Sequence, residues 1–208
     1  MSVVPAEEDV DRAVPQVDGR SAIRDRNRMA VLDAVLDLFS EDNLSPGPEE
    51  VALRAGLSAR SVYRYFTDHE SLTRAAIARN IERVGPRFLI PSIGEGDFDD
   101  RVERFVDARL ELQSEVGPTV RAARIRATFD PLVAEDVRAT RAFLGEQVER
   151  HFASELATMP PDRALARSAA VHSLCAFESL DHYQLDRGLT AAEVRPLLID
   201  ALHALLTD

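Results

Sequence analysis

The segment from Gly47 to Phe66, GPEEVALRAGLSARSVYRYF, constrains the fold of this chain more than any other. Pro48 suits the first position of a helix, because its missing N–H needs no partner there. Gly56 suits the left-handed residue that ends a helix. Ser58 follows at the position where a side-chain oxygen caps the next helix. The segment therefore predicts two short helices joined by a tight turn.

The second of these helices has an apolar side and a polar side. Helical spacing places Ala59, Val62 and Phe66 on the inward side. Five residues are left facing outward: Arg60, Ser61, Tyr63, Arg64 and Tyr65. An α-helix fits the major groove of B-DNA, where Arg bridges guanine O6 and N7, and Tyr hydroxyls reach phosphate oxygens. The pattern is typical of a DNA-binding helix-turn-helix, although spacing alone leaves open an ordinary helical hairpin with a solvated face.

Composition and charge restrict the classes of protein to which the chain can belong. Its 208 residues are 45% hydrophobic, which is typical of a globular protein. No run approaches the ~20 apolar residues of a membrane span and no signal peptide is evident, so we expect a cytoplasmic protein without a membrane partner. The net charge of -11 argues against extensive wrapping of nucleic acid, although Arg60 and Arg64 are the only charges from Gly56 to Phe66. The single cysteine, Cys175, excludes an intramolecular disulfide and a cysteine-cluster metal site.

The helix-turn-helix segment is flanked by further helical patterns. Residues 1–24 lack a sustained apolar period and predict a flexible tail, whereas Asp25 to Ser40 predicts a helix. Three arginines near its start either contact phosphate or only solvate the helix start: Arg24, Arg26 and Arg28. Thr67 and Glu70 form a capping-box pattern, which predicts that the next helix starts there and runs to about Arg83.

The second half of the chain shows helical patterns throughout. Apolar spacing, capping patterns and Gly-Pro or Pro-Pro breaks predict helices over 97–114, 117–128, 130–159, 162–187 and 190–206. Pro196 lies in the second turn of the last helix and is expected to kink it or delay its start. No strand pattern occurs in the sequence, and the predicted fold class is therefore all-α.

Two segments resemble the TetR family of bacterial transcriptional regulators: RMAVLDAVLDLFSEDN at residues 28–43 and VALRAGLSARSVYRYFTDHESL at residues 51–72. The resemblance covers roughly residues 25–85. It implies that these residues form a three-helix DNA-binding domain and that residues 86–208 form a helical ligand-binding and dimerisation domain. It also implies a homodimer through the last two helices, a pseudo-palindromic operator in double-stranded DNA and an unidentified small-molecule effector.

The resemblance extends to individual DNA-binding residues. Tyr63 matches the tyrosine that contacts phosphate, and Gly47 and Pro48 lie where the first helix of the motif points its N-terminus at the DNA backbone. The remaining predicted DNA-binding residues are Ala59, Arg60, Ser61, Arg64, Tyr65 and His69. The family commonly has Lys at the position of His69. Because His is only partly charged at neutral pH, DNA binding is expected to be weaker or more pH-dependent.

The candidates for ligand binding are polar and aromatic residues of the second half: Phe105, Arg124, Phe129, Phe143, His172, Cys175, Ser179 and His182. Four of them share one stripe of the helix predicted over 162–187, at spacings of three, four and three: His172, Cys175, Ser179 and His182. Four interpretations of this stripe stay open: satisfied core or interface groups, ligand-orienting groups in an apolar pocket, a metal site, and thiol sensing by Cys175. Phenylalanines in such positions are more often part of a core than of a ligand cage, although one or two can serve both roles.

A cluster of arginines occurs in the helix predicted over 117–128. Its members are Arg121, Arg124 and Arg126. They either form a solvated face or supply a counter-ion for an acidic ligand, and the sequence leaves both interpretations open.

The residues and the resemblance together predict a ligand-responsive repressor that binds a palindromic operator as a dimer. We expect no enzymatic activity, cofactor or metal site, because the sequence holds no nucleophile motif, glycine-rich phosphate loop or paired-carboxylate site. An activator on the same fold is one alternative. Another is a helical small-molecule-binding dimer that has lost operator binding, which His69 favours and the intact Arg60 and Tyr63 oppose.

Overall fold

The computed structural model describes residues 19–207, which form helices, turns and loops without any strand. This confirms the predicted all-α class. The helices are α1 (Gly19–Ser40), α2 (Pro48–Ala55), α3 (Ala59–Tyr65), α4 (His69–Val84), α5 (Phe98–Ala127), α6 (Pro131–His151), α7 (Ala153–Leu156), α8 (Pro161–Leu174), α9 (Phe177–Asp181) and α10 (Ala191–Leu206). A 3₁₀ turn follows α4 at Gly85–Phe88, and a π-helical turn follows α9 at His182–Asp186.

The first four helices pack around one apolar core, and the second half of the chain contributes to it. Val35, Phe39 and Val51 are fully buried in this core. Ala123 of α5 and Val133 of α6 belong to the same cluster. The helix-turn-helix therefore lies directly on the helices of the second half, and a movement of α5 or α6 acts on its core.

The structure corrects the predicted boundary of the N-terminal tail. α1 begins at Gly19, so residues 19–24 are helical rather than part of a flexible tail; residues 1–18 lie outside the described residues. Ile23 is the only large apolar residue of this extension, and it is exposed, so apolar periodicity gives no signal there. The added turn extends a helix that is already packed, which requires no new nucleation.

α5 is one helix of 30 residues, whereas separate helices were expected over 97–114 and 117–128. Pro118 lies inside α5 and removes only one backbone hydrogen bond from the ladder. Leu112, Val116 and Ala123 are buried along the same helix, on both sides of the proline. Packing of this continuous face outweighs the local break that the Gly-Pro pair favours.

The helix predicted over 162–187 is broken, and the one predicted over 130–159 ends early. α6 stops at His151, and the short α7 follows. α8 ends at Leu174, and Ala176 is extended before α9 begins. The hydroxyl of Ser179 donates to the carbonyl oxygen of Ser173 at 2.6 Å, and so bonds a carbonyl that a continuous helix would pair with a backbone N–H. The four predicted stripe residues therefore do not share one helix face.

The last helix follows the predicted capping pattern, and Pro196 does not delay its start. Thr190 Oγ1 accepts from the N–H of Glu193, and Glu193 accepts from the N–H of Thr190, as the capping box requires. α10 then runs across Pro196 to Leu206 without a delayed start. No helix between residues 19 and 207 is both long and apolar enough to cross a membrane.

Candidate DNA interface and ligand cavity

The turn between α2 and α3 has the geometry that the sequence predicts. Gly56 adopts φ +68°, and its N–H is bonded to the carbonyl oxygens at the end of α2. Ser58 Oγ accepts from the N–H of Ser61 at 3.2 Å and so caps α3. At the start of α2, the N–H of Gly47 donates to the carboxylate of Glu50 at 2.8 Å. These local bonds fix the direction in which α3 leaves the turn.

α3 buries Val62 and exposes Arg60, Tyr63 and Arg64. Tyr63 is 53% exposed, and in the described part of the chain neither Arg60 nor Tyr63 has a hydrogen-bond or ion-pair partner. Ser61 is half-buried and its hydroxyl lies 3.0 Å from that of Ser58. One end of α3 therefore presents a guanidinium and a phenol that are free to bind another molecule.

Tyr65 differs from its neighbours on α3, because it turns back toward α1 and is half-buried. Arg64 donates to the Tyr65 hydroxyl at 2.9 Å, and its guanidinium lies 5.1 Å from the ring centre. The hydrogen bond from Arg64, followed by one from Asn27, lowers the pKa of Tyr65. Tyr65 thus holds Arg64 in place instead of facing outward as expected.

The extended α1 adds a basic cleft beside α3. Its walls are formed by Arg20, Ile23, Arg24, Asn27, Arg64 and Tyr65. Arg28, one further turn along, lies with its guanidinium 5.3 Å from the centre of the Phe66 ring. The spacing of four between Arg20, Arg24 and Arg28 was the available sequence signal for this face.

The start of α4 uses a different cap from the one predicted. Asp68, not Thr67, is the N-cap residue, and its carboxylate accepts from the N–H of Ser71 at 2.6 Å. This bond lowers the pKa of Asp68. Thr67 only donates to Asp68, and Glu70 pairs with Arg126 of α5. Asp caps helices at least as well as Thr, so the helix starts one residue later than the Thr67–Glu70 pattern predicts.

His69 links the start of α4 to the loop before α2. Its Nε2 lies 3.3 Å from the hydroxyl of Ser45 and 3.5 Å from that of Thr73. This position places His69 at the same end of the domain as Gly47, which is two residues from Ser45. Its role in DNA binding stays a prediction.

A cavity lies between α4, α5, α6 and α9. Most of its wall is apolar, with Ile77 from α4, Val116 and Val120 from α5, Leu144 from α6 and Phe177 from α9. Its free volume is about 50 Å³, which is enough for a few water molecules. Small-molecule sites usually occupy several hundred Å³, so side chains must move apart before this cavity holds a ligand.

Two buried polar side chains lie in the cavity wall. The amide of Asn80 donates to Thr119 Oγ1 at 2.8 Å, and the carbonyl oxygen of Asn80 accepts from Arg83 at 2.9 Å. A third lining residue, Thr140, donates its hydroxyl to the carbonyl oxygen of Asp136 at 2.9 Å. Asn80 and Thr119 therefore form the polar part of an otherwise apolar wall.

Charged residues on the rim of the cavity are paired with one another. Glu178 pairs with Arg141, and with Arg124 at 3.4 Å; Arg124 also reaches Asp181 at 3.2 Å. Partial burial alone would raise the pKa of Glu178. Its pKa nevertheless lies below its ordinary value, because Arg141 and Arg124 stabilise the carboxylate. On their outer side, Arg124 and Arg141 line a second cleft, which is open to solvent.

Arg121 connects the cavity rim to the helix-turn-helix half. One of its nitrogens lies 3.1 Å from Asp181, and another lies 2.9 Å from Asp42 in the loop after α1. Asp42 adopts a left-handed conformation, with φ +63°. Arg124 pairs with Asp181, and Arg126 pairs with Glu70. Every arginine of the predicted cluster therefore has a carboxylate partner.

The structure does not bring the predicted ligand residues together. Arg124 lines the cavity. Phe105 is fully buried against Phe152, Phe129 is 73% exposed, and Phe143 lies in a separate shallow groove. The four residues of the predicted stripe lie apart. His172 packs against Gly145, and Cys175 is buried in the core. Ser179 is hydrogen-bonded to the carbonyl oxygen of Ser173, and the exposed His182 pairs with Asp186. Burial raises the pKa of the Cys175 thiol to about 12, which disfavours a reactive thiolate.

Sequence reasoning missed most of the cavity wall, including Asn80, Thr119 and Arg141. A polar residue on an apolar helix face is the one signal that was available. Asn80 follows Ala76 and Ile77 on the buried side of α4. The other lining residues have no local feature that distinguishes them from core positions.

Comparison with known proteins gives two kinds of similarity. No family model matches the chain. Two curated relatives, described as uncharacterized HTH-type transcriptional regulators of Mycobacterium tuberculosis, are 38% identical over 61 residues. This match covers 29% of the chain and 30% of each relative, so it spans less than a third of their length.

Solved structures are similar over most of the chain. A TetR-family transcriptional regulator from Streptomyces coelicolor has a TM-score of 0.68 and 28% identity, over 87% of this chain and 80% of that one. A multidrug binding protein complexed with imidazole has a TM-score of 0.56 and 15% identity, over 88% and 96% of the two chains. The second similarity concerns the fold alone.

Proposed function

Because the chain belongs to the TetR family of transcriptional regulators, we propose that it represses transcription by binding a palindromic DNA operator as a homodimer. A small molecule in the cavity between α4, α5, α6 and α9 favours a dimer whose α3 helices no longer fit the operator. The family membership identifies a regulator rather than an enzyme. The observation that carries the proposal is the exposed pair Arg60 and Tyr63, which has no partner among residues 19–207 and lies on a capped α3.

DNA is the partner that this surface suits best. Arg60 has the planar donor group that recognises a guanine edge, and the exposed Tyr63 has a hydroxyl that can donate to a phosphate oxygen. The basic cleft with Arg24 and Arg64 continues the positive surface onto α1. This concentration of arginines favours DNA binding in spite of the net charge of -11.

A homodimer is supported by the exposed apolar residues of α8 and α10. These helices pack side by side, and their outer faces carry Leu165, 68% exposed, and Leu197, 47% exposed. The small residues Ala169 and Ala204 lie exposed near them. Two copies of such a helix pair form a four-helix bundle when these faces meet about a two-fold axis. The bundle would set the distance between the two α3 helices.

Coupling between the cavity and the operator is supported by the contacts of Arg121. This side chain joins Asp181 on the cavity rim to Asp42 in the helix-turn-helix half. A ligand that moves the rim therefore changes a contact of the loop that connects α1 to α2. Such a ligand acts only through a difference in its affinity for the two arrangements.

In vitro selection of random DNA duplexes with the full chain, at a stated salt concentration, tests the proposal. We expect enrichment of a two-fold symmetric sequence, bound by two copies of the chain. An Arg60→Ala variant run in parallel should enrich it less. Reporter transcription with the selected sequence upstream then distinguishes repression from activation.

Failure of a folded dimer to enrich any sequence would favour the second candidate, a small-molecule-binding dimer without operator binding. The histidine at position 69 favours this candidate, because it occupies a predicted phosphate-contact position and is bonded to Ser45 and Thr73 within the chain. A His69→Lys variant discriminates further. Selection that succeeds only with this variant would assign the loss of operator binding to this position.

A further inference from the structure

We propose that the cavity between α4, α5, α6 and α9 binds an uncharged, largely apolar small molecule that carries one hydrogen-bond acceptor. This inference rests on the proposed function, because it specifies the chemical class of the effector for the same cavity. Three features carry it: an apolar wall, polar hydrogens that are available at one point of that wall, and a rim whose arginines are already paired with carboxylates.

The apolar wall selects for apolar ligands. Four elements contribute it, with Ile77, Val116, Val120, Leu144 and Phe177 as its largest parts. A ligand that fills the space between them transfers its own apolar surface out of water, which is worth roughly 25 cal/mol per Å². Polar groups facing this wall would lose their hydration without replacement.

Hydrogen-bond donors are available at Asn80 and Thr119. Thr119 accepts from the Asn80 amide, and among residues 19–207 no acceptor receives the Thr119 hydroxyl hydrogen. The second amide hydrogen of Asn80 has no recorded acceptor there either. Both side chains are buried, with Asn80 only 1% exposed. Because the Asn80 carbonyl is already bonded to Arg83, this point offers hydrogens and matches a ligand acceptor such as a carbonyl oxygen.

The charges around the cavity exclude a charged ligand. Arg124, Arg141 and Glu178 bind one another or Asp181, and Asp136, the remaining charged lining residue, is exposed to solvent. An anion would have to displace Glu178 or Asp181 from these arginines. A cation would have to displace the arginines from Glu178 or Asp181, or pair with Asp136 at the solvent-exposed edge, where such a pair contributes little. Either ligand gives up its hydration and leaves one former partner unpaired, which makes binding unfavourable.

Arg141 is the side chain that opens the cavity. It is exposed, it lines both the cavity and the outer cleft, and its pairing with Glu178 closes the rim between the two spaces. The free volume of about 50 Å³ is smaller than a one-ring molecule. An outward rotation of Arg141 gives a ligand access from the cleft and adds volume at the rim.

Four one-ring probes of nearly equal size test the ligand class. Acetophenone is neutral with an acceptor, ethylbenzene is neutral without one, benzoate is an anion and benzylammonium is a cation. Binding to the full chain is measured by calorimetry and by ligand-observed NMR. We expect acetophenone to bind roughly threefold to tenfold more tightly than ethylbenzene, the effect of one net hydrogen bond, and both ions to bind at least about tenfold more weakly than acetophenone. Benzoate or benzylammonium binding as tightly as acetophenone, or no binding of acetophenone, would overturn the proposal.

Two threonine variants locate the acceptor site. Thr119→Val removes the available hydroxyl and should reduce the preference for acetophenone over ethylbenzene, because only the Asn80 amide hydrogens remain, whereas Thr119→Ser should retain the full preference. Thr140→Val is the matched control, because Thr140 also lines the cavity but its hydroxyl is bonded to the Asp136 carbonyl oxygen. If Thr119→Val does not fold, Thr119→Ala removes the same hydroxyl and takes its place. An equal loss of preference in Thr140→Val and the Thr119 variant, or a preference unchanged by loss of the Thr119 hydroxyl, would overturn the assignment to Thr119.

The effect of the probes on operator binding is measured separately. Acetophenone that binds in the cavity without changing affinity for the selected operator would contradict the effector role and leave the ligand class intact. Operator binding that responds to benzoate but not to acetophenone would support a ligand-responsive regulator and overturn the ligand class. The two proposals therefore fail in distinguishable ways.

Discussion

The surface of α3 and the cavity between α4, α5, α6 and α9 use polar side chains in opposite ways. Arg60 and Tyr63 on α3 have no partner among the described residues, although α3 itself is rigidly capped. Asn80 and Arg124 at the cavity are bonded to other residues of the chain. Free polar groups on a fixed helix indicate an external partner, whereas bonded ones hold the fold and keep the cavity neutral. Truncating a side chain should therefore affect binding in the first region and stability in the second.

The largest effect is expected from Asn80→Ala. The substitution removes the hydrogen bonds to Thr119 and from Arg83 and leaves a space at a position that is 1% exposed. We expect it to lower the free energy of unfolding by about 2–4 kcal/mol, as measured by urea denaturation. Asn43→Ala is the control, because Asn43 makes only a 3.4 Å exposed bond to Glu50 and should change stability by less than about 0.5 kcal/mol. Equal effects of the two substitutions would contradict a structural role for the cavity amide.

Arg60→Ala should lower DNA affinity and leave stability nearly unchanged, which is the opposite of the effect expected from Asn80→Ala. Loss of one base contact weakens binding to the selected operator by about 1–3 kcal/mol and leaves binding to random DNA and the stability nearly unchanged. Fluorescence anisotropy with both kinds of duplex measures the difference. Arg138→Ala removes an exposed arginine of α6 without a recorded partner and should change neither affinity. A loss on random DNA as large as that on the operator would remove the base-reading role of Arg60.

His151 provides a pH-dependent test of the bonded interior. It is fully buried, with Nε2 donating to the Arg101 carbonyl oxygen at 2.9 Å and Nδ1 accepting from Gly94 at 3.1 Å. Burial, and then the nearby arginines, lower its pKa below the ordinary value of 6.5, against the bond to Arg101. Because the unfolded chain binds this proton at higher pH, the stabilisation is complete above about pH 6.5. It decreases by at most about 1.4 kcal/mol per pH unit as the pH falls toward the lowered pKa.

Urea denaturation between pH 5 and 8 measures this dependence. His151→Gln should reduce the slope in this range, although the protein is less stable at every pH. The remaining slope is expected from His172, because burial lowers its pKa as well. His182→Gln, which removes an exposed histidine paired with Asp186, should retain the wild-type dependence. Persistence of the full slope in His151→Gln would assign it to another group.

The α3 surface was predictable from the sequence because its determinants are local. Gly56, Ser58 and the spacing of Val62 and Phe66 lie within eleven residues, and each acts through a backbone conformation or a nearby hydrogen bond. Tyr65 is the exception. The prediction that Tyr65 faces outward was wrong, because Asn27 and Arg64 are hydrogen-bonded to its hydroxyl and Asn27 lies in a distant part of the sequence.

The cavity was not predictable, because its wall comes from four elements between residues 77 and 178. No local pattern marks Val116 or Leu144 as lining rather than core. The predicted stripe of His172, Cys175, Ser179 and His182 failed for a related reason. The hydroxyl of Ser179 donates to the carbonyl oxygen of Ser173 where the predicted helix breaks between α8 and α9. Apolar periodicity cannot detect such a side-chain hydrogen bond.

The smallest effect is expected from Asp42→Asn, which tests whether the two regions communicate through Arg121. Asn tolerates the φ of +63° at this position and removes only the charge that binds Arg121. Since Asp42 is largely exposed, the pair contributes at most about 1 kcal/mol. Glu178→Gln perturbs the cavity rim, and we expect it to change operator affinity in the wild-type background but not in Asp42→Asn. The difference is the coupling free energy of a double-mutant cycle, measured by anisotropy without any ligand.

Glu41→Gln is the matched control, because the adjacent Glu41 pairs with Arg54 inside the helix-turn-helix half and should leave the effect of Glu178→Gln intact. Additive effects of Asp42→Asn and Glu178→Gln would show that the rim acts on α3 by another route, such as the core that Ala123 and Val133 share with the first four helices.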